Sequence, residues 1–291
     1  MQLSIFGTTE PGQIVNVASV PQRSPFRYPG GKTWLVPRIR QWLKSLPELS
    51  NEFIEPFAGG GIISLTVAFE NLSRHVTMVE LDDEVAAVWR TIIYGDGIWL
   101  ADQIATFDCT SDNLENILSA NAQTSKEKAF RTILRNRVNH GGILAPGSGL
   151  VKYGENGKGI LSRWYPTTLK RRILNIISIK ERLTFLEGDG IQLLKENSER
   201  TDVVFFIDPP YTASGKKAGT RLYKYSEIDH EELFKIASTL KGNFLMTYDN
   251  AEEVIEMART YEFNTRVIAM KNTHNTKMTE LLIGRNLDWL K

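Results

Sequence analysis

Val203-Val204-Phe205-Phe206-Ile207 runs directly into Asp208-Pro209-Pro210-Tyr211. The first five residues are β-branched or aromatic and too few for a helix, so they predict a buried strand. The two prolines end the strand and stiffen the backbone behind the aspartate. A carboxylate, carbonyls beside nitrogens that carry no hydrogen, and an aromatic ring therefore gather at the carboxyl end of a strand. In open α/β sheets that end is where ligands bind. Acceptors plus a π-face suit a planar ring bearing an NH₂ group, such as adenine or cytosine. An ordinary strand stop with an N-capping Asp would use the same residues without a ligand.

The pattern around this strand completes an α/β alternation. Short apolar runs predict strands at 52–55, 76–81, 184–187 and 243–247, and a closing antiparallel pair at 266–270 and 280–283. Apolar residues at helical spacing predict helices over 34–46, 62–71, 83–93 and 168–183. Asp82 or Asp83 can cap the third of these. Two more helices are expected near Asp229, with Glu232 in a capping box, and near Asn250, with Glu253. The expected fold is a doubly wound, mostly parallel sheet, Rossmann-like, assembled from residues 25–93 and 184–291. Residues 94–183 are expected to form an inserted helical and loop region. Within it, 141–159 holds seven of the 22 glycines and predicts a long mobile loop or hairpin.

Bulk properties narrow the function. The chain has 291 residues, 42% of them hydrophobic, enough for one large domain with an insertion. No apolar run approaches the roughly 20 residues that span a bilayer. The first residues lack the features of a secretory signal, so a cytoplasmic location is expected. One cysteine, Cys109, excludes an internal disulfide and a cysteine zinc cage. The histidines at 75, 140, 230 and 274 are scattered, so no metal is expected. The net charge of +1 hides a segregation: residues 126–182 hold 13 Lys or Arg against three acidic residues, a local +10 that leaves −9 elsewhere. Such a field points to phosphate, and hence to nucleic acid.

Phe57-Ala58-Gly59-Gly60-Gly61 follows the first strand, and a tight glycine turn there lets a ligand approach the backbone. Glu80 ends the second strand, 21 residues after Gly59, where an acid is expected to meet ribose hydroxyls. Ser64 stands where a dinucleotide fingerprint would place Gly or Ala, which disfavours an NAD-dependent oxidoreductase. Gly31-Lys32-Thr33 imitates a P-loop, but Phe26 replaces its first glycine and no strand precedes it. The pattern favours an adenosine site without phosphates, and S-adenosylmethionine is the common cofactor of that kind.

Taken in order, Tyr28-Pro29-Gly30-Gly31-Lys32, Glu55-Pro56-Phe57-Ala58-Gly59-Gly60-Gly61, Glu80-Leu81-Asp82, Asp208-Pro209-Pro210-Tyr211 and Thr279-Glu280-Leu281-Leu282-Ile283 resemble the Dam-type (class D12) DNA adenine-N6 methyltransferases over about residues 26 to 285. The resemblance implies that Tyr28 and Lys32 line an S-adenosylmethionine pocket. Glu55 and the turn with Phe57 and Gly59 would hold the methionine end. Glu80, or Asp82 as its rival, would hold the ribose, since the family commonly has Asp where this chain has Glu80. Asp189 would sit near the cofactor's adenine, and Asp208 would touch both cofactor and target base. Position 28, Tyr here, is often Trp in that family.

In the chemistry so implied, the target adenine is extruded and stacked by Tyr211, while Asp208 and the Pro209 carbonyl accept the amine hydrogens ahead of Pro210. Arg131, Arg135, Arg137, Asn139, Lys152, Lys158 and Arg163, with Asn136, are candidates for phosphates or base edges of double-stranded DNA. Lys216, Lys217 and Arg221 are candidates for a lid. A monomer is expected, and a cognate restriction endonuclease is an admissible partner. The alternatives are a cytosine-N4 or RNA adenine methyltransferase, against which the acidic Asp208 argues, and an inactive DNA-binding relative.

Overall fold

The computed structural model describes residues 15–210, 228–271 and 277–290. One sheet organises them. Its strands are β1 (Glu52–Glu55), β2 (His75–Glu80), β3 (Leu183–Glu187), β4 (Val203–Ile207), β5 (Asn243–Asp249), β6 (Asn264–Lys271) and β7 (Lys277–Gly284). They lie in the order β3-β2-β1-β4-β5-β7-β6. β1 to β5 are mutually parallel, and β7 is antiparallel to both β5 and β6. The expected parallel sheet and closing antiparallel pair are therefore present.

The helices are α1 (Val36–Ser45), α2 (Ile62–Phe69), α3 (Asp83–Ile93), α4 (Gly97–Thr106), α5 (Ser111–Ser119), α6 (Ser125–Val138), α7 (Pro166–Ile177), α8 (Gly190–Glu196), α9 (His230–Thr239) and α10 (Glu252–Thr260). All five residues of β4 are buried, as a parallel strand covered on both faces requires. Its side chains alternate between two apolar cores. Val204 and Phe206 join the core that includes α1, α2 and α3, whereas Val203, Phe205 and Ile207 join the one that includes α9 and α10. The strand order reverses between β1 and β4, which opens a crevice at their carboxyl ends.

Several local expectations need correction. The helix expected over 168–183 begins earlier, at Pro166, where a fixed φ favours the first helical turn. It ends at Ile177, and a 3₁₀ turn (Lys180–Arg182) leads into β3. The α10 cap is Ala251, without a side-chain bond; the Asn250 amide instead donates to Thr279 Oγ1 at 3.1 Å, tying the helix entrance to β7. Asp229 does cap α9, accepting from the Glu232 amide at 2.9 Å. Residues 141–159 form the expected loop, with short 3₁₀ turns at His140–Gly142, Glu155–Gly157 and Gly159–Arg163 and an antiparallel bridge from Asn139 to Leu150.

Between β2 and β3 the pattern did not predict α4, α5 or α6. Residues of α4, α6 and α7, such as Leu100, Ile133 and Leu169, share one core with Val88 and Trp89 of α3. This region thus packs on the face of the sheet domain rather than around a core of its own.

Candidate active site

The crevice is floored by the turn between β1 and α2. Gly61 sits at φ +62°, and a Cβ there would lie 2.5 Å from Met78 Cε, so only glycine fits. Gly59, at φ +48°, lies under the Tyr28 ring, and its Cβ would come 2.5 Å from Tyr28 Cε1. The Gly59 amide donates to Glu80 Oε2 at 2.8 Å, and the Trp89 indole donates to the Gly59 carbonyl at 2.9 Å. Glu80 Oε1 also accepts from the Asp82 amide at 2.9 Å, and Asp82 in turn caps α3 through the Glu84 amide at 2.8 Å. One carboxylate thereby locks the turn to the start of α3. Burial pushes Glu80 up to about 7, with Asp82's charge adding to the rise.

Glu55 ends β1 and is buried. Its Oε2 accepts from the Ser64 amide at 3.0 Å and from the Ser64 hydroxyl. Burial nevertheless raises it to about 8, and the nearby charges of Asp208 and Glu80 act in the same direction. Ser64, which the sequence offered only as a departure from a dinucleotide fingerprint, thus orients a carboxyl group of the site.

Asp208 stands at the end of β4. Its Oδ1 accepts from the Thr247 hydroxyl at 2.7 Å and lies 3.0 Å from Lys32 Nζ. The Lys32 ammonium also donates to the Gly30 carbonyl at 3.2 Å and lies 3.6 Å from Glu280 Oε2. Lys32 is only 3% exposed, so this pairing is little screened. Thr247 is on β5 and Glu280 on β7, neighbouring strands that bring both side chains beneath the tip of β4. Burial raises Glu280 to about 7 against the pull of Lys32. Behind it, buried Tyr248 shares a 3.0 Å hydrogen bond with His230 Nδ1, and burial raises its phenol while Asp208's charge adds to the effect. Thr247 and Glu280 were not singled out from the sequence. A carboxylate opening the apolar run Glu280-Leu281-Leu282-Ile283 was the available signal.

Of these groups, Lys32, Glu55, Glu80, Asp82 and Asp208 border one cavity of about 650 Å³, and Ser64, Thr247 and Glu280 support them. Tyr28, Lys32, Glu55, Phe57, Gly59, Glu80, Asp82, Asp189, Asp208, Pro209 and Pro210 all line it. Asp189 also caps α8 through the Ile191 amide at 2.8 Å. Tyr211, Lys216, Lys217 and Arg221 lie outside the described residues. The candidate nucleic-acid residues divide. Arg137 and Arg163 border the same cavity. Lys152 and Lys158 are exposed. Arg131 donates to the Ala120 carbonyl at 3.0 Å, and Arg135 pairs with Glu84 at 2.5 Å. Asn139 is buried, its amide donating to the Ile143 carbonyl at 2.8 Å and to Ser148 Oγ at 2.9 Å. Asn136 is likewise committed, to the Arg27 and Gly142 carbonyls.

The donor set suits an adenosine-bearing cation better than a dinucleotide. The Gly59 amide is occupied by Glu80, and six further carboxyl groups, Glu55, Asp82, Asp189, Asp208, Asp229 and Glu232, border the cavity. Around the glycine turn such carboxyl groups accept from hydroxyls, and Gly59 has no free amide for a phosphate. The volume lies in the usual range for a small-molecule site, roughly 300–1,000 Å³. Among the described residues no group of three or more His, Cys, Asp or Glu is arranged to hold a metal ion. No helix there is long and apolar enough to cross a membrane. Cys109 is buried, its thiol pushed up to about 11 by burial and by Asp108.

The family model of D12 class N6 adenine-specific DNA methyltransferases matches residues 28–273. The type II methyltransferase M1.LlaDCHI of Lactococcus lactis subsp. cremoris is 23% identical over 286 residues, covering 89% of this chain and 94% of the relative. A Pyrococcus horikoshii protein described as an RNA methyltransferase overlaps 92% of this chain and 92% of its own at 10% identity, with a TM-score of 0.42. The rRNA methyltransferase aviRa of Streptomyces viridochromogenes overlaps 89% of this chain and 86% of its own at 12% identity, with a TM-score of 0.39. Those two structural overlaps are too loose to bear on function.

Proposed function

We infer the working of this site from one premise: the chain belongs to the D12 class N6 adenine-specific DNA methyltransferases. Its activity is methyl transfer to adenine N6 in DNA. The finer reading proposed here is that the cavity holds S-adenosylmethionine and that Asp208, lining it, receives an adenine extruded from double-stranded DNA. When bound, S-adenosylmethionine supplies an electrophilic methyl group on a cationic sulfur.

The chain's own residues divide the remaining work. Glu80 or Asp82 accepts from the ribose hydroxyls, Asp189 lies toward the cofactor's adenine, and Glu55 and the glycine turn accommodate the cationic end. Tyr28 covers the turn and fixes the depth of the cavity. Adenine's amino group is a weak nucleophile because its lone pair is delocalised into the ring. Asp208 and the Pro209 carbonyl accept its two N–H hydrogens, which orients the lone pair. Positive charge that develops on the nitrogen meets the Asp208 carboxylate, already aimed by Thr247 and Lys32, so little reorganisation is needed. Extruding the base costs a few kcal/mol, and we assign to Tyr211 a stacking contribution of roughly 1–3 kcal/mol against it. Arg137 and Arg163 at the cavity, with exposed Lys152 and Lys158, are the DNA contacts this reading favours.

The observation that carries the reading is the Asp208 carboxylate, held by Lys32 and Thr247 and lining the same cavity as the glycine turn. A paired restriction endonuclease is compatible with the type II methyltransferase relative. The test is to incubate the protein with methyl-labelled S-adenosylmethionine and unmodified genomic DNA and to map the modified bases. N6-methyladenine at one recurrent short sequence is expected. Label on cytosine N4, or on RNA alone, would replace the adenine reading, and no label at all would remove it.

A further inference from the structure

Arg137 is 4% exposed, yet among the described residues no ion pair to it is found. Its guanidinium donates to the Pro25 carbonyl, and its Nε has no hydrogen-bond partner among the described residues. Burial, and after it the like charges of Arg172, Arg27 and Arg163, lower its pKa to about 9. Arg172 donates to the Ser24 carbonyl at 2.9 Å, again a neutral acceptor. A guanidinium has five donors, so with one carbonyl each Arg137 and Arg172 have donors for further acceptors. A buried cation without a counter-charge is costly, and an anion seated among these arginines would relieve that cost.

The place of the cluster identifies the anion. Arg27, Arg137, Arg163 and Arg172 border the same cavity as the carboxylates. Arg172 also borders a second groove, of about 280 Å³, where Arg171 and Arg23 stand with Asn175. One arginine is thus shared between this cavity and a second, basic groove. A nucleic-acid strand whose base enters the cavity must place its own phosphates just outside.

We propose that Arg137 and Arg172, flanked by Arg27 and Arg163, bind the phosphodiester beside the extruded nucleotide, and that Arg171 receives the next phosphate of the same strand, Arg23 being paired with Glu70 at 3.1 Å. This rests on the DNA-methyltransferase reading and adds to it the place where the target strand's backbone is held. A carboxylate of the cofactor is the other anion that could reach the cluster, and the experiment separates the two.

The test uses the full chain and a duplex bearing the mapped target site. Binding is measured against salt for the wild type, Arg172→Gln and Arg172→Lys, with Arg137→Gln as a second variant and thermal melting as the check on folding. Each lost phosphate contact should flatten the slope of log K against log salt by about 0.9. Arg172→Gln is expected to flatten the slope by that amount and to weaken binding about tenfold at moderate salt, with Arg172→Lys keeping the wild-type slope. A methylphosphonate is then placed at each phosphate flanking the target adenine. One position should weaken the wild type and leave Arg172→Gln unaffected. An unchanged slope, or equal methylphosphonate losses in both proteins, overturns the proposal. So does a variant that loses S-adenosylmethionine affinity while its DNA slope stays the same. Methylation that persists in mapped DNA beside any of these results leaves the enzyme reading intact, whereas the absence of methylated bases would remove the reading itself.

Discussion

Asp208→Ala should lose methyl transfer by at least about 10²- to 10³-fold, the effect of removing one preorganised electrostatic group from a reacting centre. The substitution removes the acceptor for the adenine amine and the charge facing it. It also leaves Lys32 and the Thr247 hydroxyl without the oxygen they share. DNA affinity should persist, because the arginines that would hold phosphates lie elsewhere in the cavity wall. Asp208→Asn separates the two contributions. It keeps an acceptor oxygen near Thr247 but removes the charge, so its activity should lie between that of the wild type and the Ala variant. Single-turnover rates at saturating DNA and cofactor provide the measurement. Rates within a few-fold of wild type in Asp208→Ala would take the residue out of the chemistry.

Lys32→Met is expected to cost roughly 3 kcal/mol of stability at pH 8, the scale seen when one partner of a buried ion pair is removed. The ammonium is buried between Asp208 and Glu280, at 3.0 and 3.6 Å, so its loss leaves two carboxylates facing each other. The pH dependence has a definite sign. Glu280 in the folded protein is raised from 4.5 to about 7. A raised carboxyl contributes stability that is complete below its unfolded value and is lost as pH rises through its folded value. Removing Lys32 raises the folded value further, so the variant binds protons more readily when folded. Its deficit should therefore shrink between pH 8 and pH 5.5. Glu55 and Glu80, also raised, are common to both proteins and largely cancel in the difference. Urea unfolding of wild type and variant at the two pH values measures the deficit. A deficit that is absent, or that grows toward acid, contradicts the pairing described.

The sheet was legible because each central strand is a short apolar run closed by turn residues. β1 matches the expected 52–55, and α3 matches 83–93 with Asp82 as its cap. α6 was not legible, because it is buried on more than one side. Thr132, Asn136 and Arg137 lie inside along with Phe130, Ile133 and Leu134, so no single apolar stripe appears. The same burial changed how its polar residues read. Charge alone placed Arg131, Arg135 and Arg137 together as phosphate candidates, but Arg135 is tied to Glu84, while Arg137 faces the cavity. Tyr28, Lys32, Glu55 and Asp208 could be found because each stands in a distinctive short motif. Thr247 could not, since an ordinary strand residue becomes a ligand of Asp208 only through the pairing of β4 with β5.

The central claim is that the rigid acceptors at the tip of β4 receive the amine of an extruded adenine. A crystal structure of the protein with the demethylated cofactor product and a duplex containing the mapped target tests it most directly. The account predicts the adenine out of the helical stack, with N6 at hydrogen-bonding distance, about 3 Å, from both Asp208 and the Pro209 carbonyl. An adenine still paired within the duplex, or extruded but lodged away from Asp208, would contradict it.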